Sequence, residues 1–290
     1  MSTGTRSAVK SVHTLELEIT GACQLECTHC LTESSPQAGH GTMTAADWRT
    51  VIEDAAAVGV RQVQLIGGEP TAYPHWRELG ELALSRGLDV EVYSNLLRVN
   101  ARGWEFFRKT GVSLATSYYS DRAEEHERIT STRGSHARTR ANIRTAVERG
   151  VRIRVSVIEV LPDQRVRQAC DDLRSLGVQR IGTDRVRAVG RGVPHGGVPD
   201  PDTLCGECAQ QRAAVLPNGD LAGCVMSRFL PCGNVHEKPL AALLDGPEWQ
   251  QLVAGFALPH HACGPDDQCN PDANRNGCSP TCSMHDLDPR

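Results

Sequence analysis

Six strand-like runs recur between residues 13 and 184, separated by segments of helical period, and this alternation restricts the fold more than any other feature of the chain. The runs are HTLELEIT at 13–20, RQVQLIG at 61–67, DVEVYSN at 89–95, VSLATSYY at 112–119, VRIRVSVIEV at 151–160 and VQRIGTD at 178–184. Helical spacing fills 44–59, 74–87, 100–110, 136–149 and 163–176, with Thr44 placed to cap the first and glycines at 59, 87 and 150 placed to end helices. Strands that alternate with helices pair in parallel, because a parallel pair needs a long crossover and a helix supplies it. The expected fold is α/β, an open or closed barrel of βα units, with its chemistry at the carboxyl ends of the strands.

The pattern stops at residue 184. Residues 186–202, VRAVGRGVPHGGVPDPD, are rich in Gly and Pro and read as a connector. Asn218-Gly219 lies between apolar arms in AAVLPNGDLAGC (213–224), a strong hairpin signal. Residues 239–256 have helical spacing, with a break expected near Gly246-Pro247. Residues 260–290 carry four cysteines and almost no periodic pattern, so they need a staple in place of a core. The 290 residues are 39% hydrophobic and 23% charged, which excludes collagen-like, coiled-coil and wholly disordered chains. A net charge of −4 leaves no electrostatic footprint for nucleic acid. No apolar run approaches the roughly 18 residues of a membrane span. The N-terminal MSTGTRSAVKSVH has no apolar signal core, so a cytoplasmic protein is expected.

Twelve cysteines stand out, eight of them beyond residue 184. In a reducing cytosol such clusters point to metal or catalysis rather than disulfides. Cys23, Cys27 and Cys30 are spaced C-x3-C-x2-C directly after the first strand. Three thiolates on one short loop can hold three irons of a 4Fe–4S cluster and leave the fourth open to a substrate. A zinc knuckle completed by His29 is the competing reading of the same residues.

That cysteine loop, together with Gly67-Gly68-Glu69-Pro70 after the second strand, resembles the radical SAM superfamily over residues 13–184. The resemblance implies a partial (β/α)6 radical SAM barrel in residues 1–185 and a 4Fe–4S cluster on Cys23, Cys27 and Cys30. It also implies S-adenosylmethionine (SAM) chelated to the open iron. In that family the GGEP edge binds the amino group of SAM. Gly67 and Gly68 would let the backbone approach, beside Pro70, and Glu69 would accept from the ammonium. Ser94, Asn95 and Ser117, at the ends of the third and fourth strands, would contact its carboxylate or ribose. The residue before the third cysteine is usually aromatic in the family and is His29 here. The implied reaction cleaves SAM reductively to methionine and a 5′-deoxyadenosyl radical, which takes hydrogen from an unactivated C–H bond. An external one-electron donor such as flavodoxin or ferredoxin goes with it.

Cys208-x10-Gly219-x4-Cys224, preceded by Gly190-Arg191-Gly192, looks like the opening of a SPASM or twitch domain. This implies a connector at 186–204 and a small cysteine-rich domain at 205–290. By the same resemblance Cys205, Cys208, Cys224 and one tail cysteine, Cys282 in preference to Cys278, hold an auxiliary 4Fe–4S cluster. The tail, Cys263-x5-Cys269-x8-Cys278-x3-Cys282, departs from the family's usual order. A zinc ribbon on Cys205-x2-Cys208 is the alternative. Cys170 reads as a small buried apolar residue. Cys232 fits neither cluster pattern and has three readings: hydrogen donor to a substrate radical, cluster ligand, or inert thiol. Asp266, Asp267 and Asp272 read as a carboxylate wall for a cationic substrate or as a solvated loop. A compact chain with a spare thiol, starting close to its first strand, looks like the radical SAM epimerases of aminoglycoside antibiotic synthesis, such as the neomycin epimerase. The preferred reading is therefore a carbohydrate epimerase acting on a small molecule such as a cationic aminoglycoside, with Cys232 returning hydrogen to the face opposite abstraction. The alternative is a SPASM maturase of a ribosomally synthesised peptide, installing a cross-link, an epimerised centre or an oxidation. A non-catalytic zinc scaffold is the third.

Overall fold

The computed structural model describes residues 12–206 and 208–256. Its first strand, β1 (Thr14–Thr20), is buried at all seven positions. Leu15, Leu17 and Ile19 enter the main hydrophobic core. Thr14, Glu16, Glu18 and Thr20 alternate with them and take the opposite face. A strand covered on both faces belongs to a parallel sheet with layers on each side.

Five strands follow in parallel, each registered on its predecessor: β2 (Gln62–Gly67), β3 (Asp89–Tyr93), β4 (Val112–Tyr118), β5 (Ile153–Glu159) and β6 (Arg180–Arg185). The helices between them are α1 (Ala45–Ala57), α2 (Trp76–Ser85), α3 (Ala101–Phe107), α4 (Ala123–Thr130), α5 (Ser135–Glu148) and α6 (Val166–Ser175). Thr44 caps α1 as expected, in a capping box with Asp47. The helix α4 has no counterpart in the sequence reading. It is a single short segment that buries only His126, Ile129 and Thr130, too few positions to register as a period.

Beyond β6 the chain returns to the free edge of β1. There β7 (Arg212–Val215) pairs parallel to β1, and β8 (Leu221–Ala222) pairs antiparallel to β7. The sheet order among the described residues is β6-β5-β4-β3-β2-β1-β7-β8. The hairpin read from Asn218-Gly219 is present, with Gly219 at φ +87°, and it extends the barrel sheet. The break expected near Gly246-Pro247 separates α7 (Leu240–Leu244) from α8 (Pro247–Phe256). No helix among the described residues is long and apolar enough to cross a membrane.

The inner face of the sheet is polar, and its carboxylates are paired. Glu16 accepts from Arg212, Glu18 from Arg228, and Glu91 from both Arg154 and Gln64. Arg154 grips Glu91 with two bonds of 2.7 and 2.8 Å, and both side chains are almost fully buried. Burial alone would raise the Glu91 carboxyl; the Arg154 guanidinium and Gln64 outweigh it and hold the group below its usual range. Arg154→Leu strands that carboxylate without its cation, and urea unfolding should show a loss of about 3–5 kcal/mol. Adding Glu91→Leu should recover most of it, because the stranded charge is gone.

Candidate active site

The chain leaves β1 at Thr20 and makes a closed loop: Gly21 N–H donates to Gly39 O at 2.9 Å and Cys23 N–H to Ser35 O at 3.1 Å. The helix α4 braces it from the side, Ile129 O accepting from Thr28 N–H at 2.9 Å. Cys23, Cys27 and Cys30 all line one cavity at the carboxyl ends of the strands. Burial pushes the Cys23 thiol up to about 12. It pushes Cys27 higher still, with the other two sulfurs of the loop adding to the effect and Arg191 opposing it. At these two positions a free thiol stays protonated near neutral pH. Three sulfurs of one loop lining one cavity suit a thiolate-ligated iron cluster.

The GGEP segment is packed onto the back of that loop. The β1–β2 register slips between Glu18 and Thr20, where Gly67 takes φ +134°. A Cβ on Gly67 would lie 2.2 Å from Thr20 O, and one on Gly68 2.4 Å from Ala22 O. Gly68 N–H donates to Thr20 O and Glu69 N–H to Ala22 O, at 2.7 and 2.8 Å. Both glycines line the cavity, but their lack of a side chain is demanded by the cysteine loop behind them. Glu69 and Pro70 are not among the lining residues. The Glu69 carboxylate is buried and taken up by internal donors: Thr71 N–H and Oγ1, Ser94 Oγ and Asn95 N–H, at 2.7–3.1 Å.

Ser94, Asn95 and Ser117 do face the cavity. Asn95 Nδ2 reaches Cys23 Sγ at 3.5 Å and Gln24 Oε1 at 3.1 Å. Ser117 Oγ bonds the Tyr93 hydroxyl at 3.0 Å. His29, in the usually aromatic position, packs edge-to-face on Tyr119, centroids 5.2 Å apart. Burial, helped by the Arg191 charge, lowers its imidazole to about 4, so it is neutral. His126 also packs edge-to-face on Tyr119 and is lowered by burial to about 3. Tyr93, Tyr119, His126 and Arg185 line the cavity and were missed in the sequence, His126 because α4 was missed and the rest for want of a motif.

Cys205, Cys208 and Cys224 come together elsewhere. The Sγ atoms of Cys208 and Cys224 are 3.0 Å apart, and Cys208 also bonds Cys205. Cys208 and Cys224 share an apolar cluster with Val189, Leu204, Met226 and Phe256. A second thiol-rich, dry donor set of this kind suits an auxiliary cluster. Cys282, Cys278, Cys263, Cys269 and the three tail aspartates lie outside the described residues. Cys170 is buried in the main core, as read from its helix. Cys232 is not brought to the SAM-side cavity. Its N–H donates to Leu221 O at 2.8 Å and its thiol to the same oxygen at 3.4 Å, and it lines a separate cavity with Leu243, Glu248 and Leu252. Burial, with Glu248 nearby, raises it to about 11. Cys232 thus lines a different cavity from the one lined by Cys23, Cys27 and Cys30.

The model of the radical SAM superfamily matches residues 17–181, more than half of the chain. The chain belongs to that superfamily. The SPASM model, an iron-sulfur cluster-binding domain, matches residues 205–279 of this radical SAM enzyme. The two matches bring with them a 4Fe–4S cluster, SAM and auxiliary iron–sulfur binding. The enzyme is 25% identical over 60% of its length to the antilisterial bacteriocin subtilosin biosynthesis protein AlbA of Bacillus subtilis, covering 40% of it. It is 28% identical over 70% of its length to the PqqA peptide cyclase of Gluconobacter oxydans, covering 53% of that protein. The chain thus spans about half or less of these curated relatives. The crystal structure of Streptococcus suis SuiB bound to SAM shares the fold, with a TM-score of 0.69 at 15% identity over 84% of this chain and 68% of SuiB. SuiB has also been solved bound to its precursor peptide SuiA, with the same TM-score.

Proposed function

We propose that the enzyme modifies a ribosomally made peptide by radical chemistry, with residues 1–185 as the radical SAM core, 186–204 as connector and 205–290 as the SPASM region. The observation that carries this over the aminoglycoside reading is the charge of the cavity wall. Among its described lining residues there is no aspartate or glutamate, and the exposed cation at its edge is Arg185. A polycationic sugar gains nothing from such a wall, whereas a peptide with an acidic or neutral segment does. A PqqA peptide cyclase among the relatives and a peptide-bound SuiB among the folds point the same way. The sugar-epimerase expectation, which rested on chain compactness and on Cys232 as donor, gives way to it.

In this reading Cys23, Cys27 and Cys30 hold the 4Fe–4S cluster, and Cys205, Cys208, Cys224 and Cys282 the auxiliary one. Bound there, the first cluster and SAM supply reductive SAM cleavage and, from it, hydrogen abstraction at an unactivated C–H bond. Gly67, Gly68, Ser94, Asn95 and Ser117 shape the SAM pocket, and the two neutral imidazoles and Tyr119 exclude water from it. An electron donor of the flavodoxin or ferredoxin type and a cytoplasmic setting belong to the same reading.

The test is co-expression with short open reading frames adjacent to the gene, followed by mass spectrometry of each peptide. Loss of hydrogens, or deuterium uptake from D2O at one residue, is the expected result. Deuterium placed at an inverted carbon of an aminoglycoside, with every peptide unchanged, overturns it.

A further inference from the structure

Directly after β6 the chain folds back onto the cysteine loop through Gly190-Arg191-Gly192. Gly190 sits at φ +55°, and a Cβ there would lie 2.5 Å from both Cys30 O and Leu31 O. A Cβ on Gly192 would lie 2.3 Å from Arg187 O. Both ends of the tripeptide are therefore pressed against backbone. Arg191 between them makes three bonds to the loop. Its N–H donates to Cys30 O at 3.0 Å, Nε to Cys27 O at 2.7 Å, and Nη2 to Ser34 O at 2.7 Å. The partners are 157 and 164 residues away in sequence for the two side-chain bonds, so this is a long-range clamp. None of the three bonds uses a sulfur, so the clamp itself occupies no thiol of the loop.

The neighbouring residue points the other way. Val189 is buried in the apolar cluster that contains Cys208 and Cys224, and Leu31, next to Cys30, packs against the same cluster. The segment 189–191 thus touches both cysteine sets at once.

We infer that Arg191 is a positioning residue for the first cluster: it fixes the loop bearing Cys27 and Cys30, and its fixed positive charge behind that loop favours the reduced cluster. The inference rests on the assignment of Cys23, Cys27 and Cys30 to that cluster. Three thiolates make the cluster anionic, and reduction adds one more negative charge. A half-buried cation bonded to the carbonyls of Cys27 and Cys30 opposes that cost. A guanidinium suits the task because it stays charged and its planar fork meets two carbonyls at once.

The experiment uses the anaerobically reconstituted full chain with Arg191→Met and Arg191→Lys, and follows the first-cluster EPR signal in a redox titration. The signal is identified as the one lost in the triple alanine variant of Cys23, Cys27 and Cys30. A triple variant that keeps a SAM-responsive signal removes the cluster assignment, which is a different failure from that of Arg191. At a fixed poise Arg191→Met should lower the reduced-to-oxidised ratio about tenfold, or 59 mV for a one-electron couple. Arg191→Lys should restore most of that ratio while losing iron to a chelator faster than wild type, since one ammonium does not reproduce the fork. If Arg191→Met does not retain the cluster, Arg191→Gln gives the same reading with donors kept and charge removed. A ratio unchanged in Met or Gln, or shifted equally in Met and Lys, overturns the inference.

Discussion

Alanine at Cys23, Cys27 and Cys30 together should reduce SAM cleavage to the rate without enzyme, while the protein keeps about four irons per chain from an auxiliary site. The first half of that result follows from convergence. All three thiols line one cavity, beside Ser94 and Asn95, and no other described cysteine joins them there. The second half follows from separation. Cys208 and Cys224 are in contact with each other, inside a different apolar cluster, and do not line that cavity. The loop itself should survive the substitution, because its closing bonds run through backbone and through Arg191 rather than through sulfur. Iron and sulfide analysis after anaerobic purification, with 5′-deoxyadenosine measured by chromatography, checks both halves. Cleavage at the wild-type rate in the triple variant would remove the assignment. Zinc in place of the residual iron would favour the zinc-ribbon alternative for Cys205 and Cys208.

What the sequence made legible was whatever is local or periodic. The six strands, the capping of α1 by Thr44, the Asn218-Gly219 turn and the break before Pro247 each depend on a few adjacent residues. The cysteine loop was legible because its spacing is short and its position after a strand is unusual. Hidden were the contacts between distant segments. Nothing in RAAV at 212–215 says that it will pair with β1, since four small residues fit any sheet edge. Cys232 looked available because its neighbours in sequence carry no ligand pattern; the bonds from its N–H and thiol to Leu221 O, and the separate cavity it lines, are tertiary. The Gly67-Gly68 pair was read as making room for a ligand, and the room is filled by the backbone of residues 20–22. A close approach of two backbones and a close approach of backbone to ligand leave the same trace in a sequence, a glycine.

Glu69 carries the second large effect. The expected result is that Glu69→Gln destabilises the iron-free, SAM-free protein by about 1–3 kcal/mol, read from the urea midpoint at unchanged slope. The carboxylate accepts from Thr71 N–H and Oγ1, from Ser94 Oγ and from Asn95 N–H, so both of its oxygens are committed. An amide of the same shape offers one acceptor and one donor. Whichever way it turns, its NH2 faces at least one N–H, and a buried donor is left unsatisfied. If Glu69 served only the ammonium of SAM, stability without ligand would not change, and that outcome would refute the structural account. The damage should also reach the chemistry. Asn95, held through its N–H by Glu69, sends Nδ2 toward Cys23 Sγ and Gln24 Oε1. Its carbonyl accepts from Thr139 Oγ1 at 3.0 Å. Freed from the carboxylate, Asn95 no longer fixes the wall beside the first cysteine, and SAM cleavage should fall along with stability. Thr71→Val is the control: it removes the Oγ1 donor but leaves Glu69 bonded to Thr71 N–H, Ser94 Oγ and Asn95 N–H, so its cost should stay near 1 kcal/mol, with cleavage largely kept.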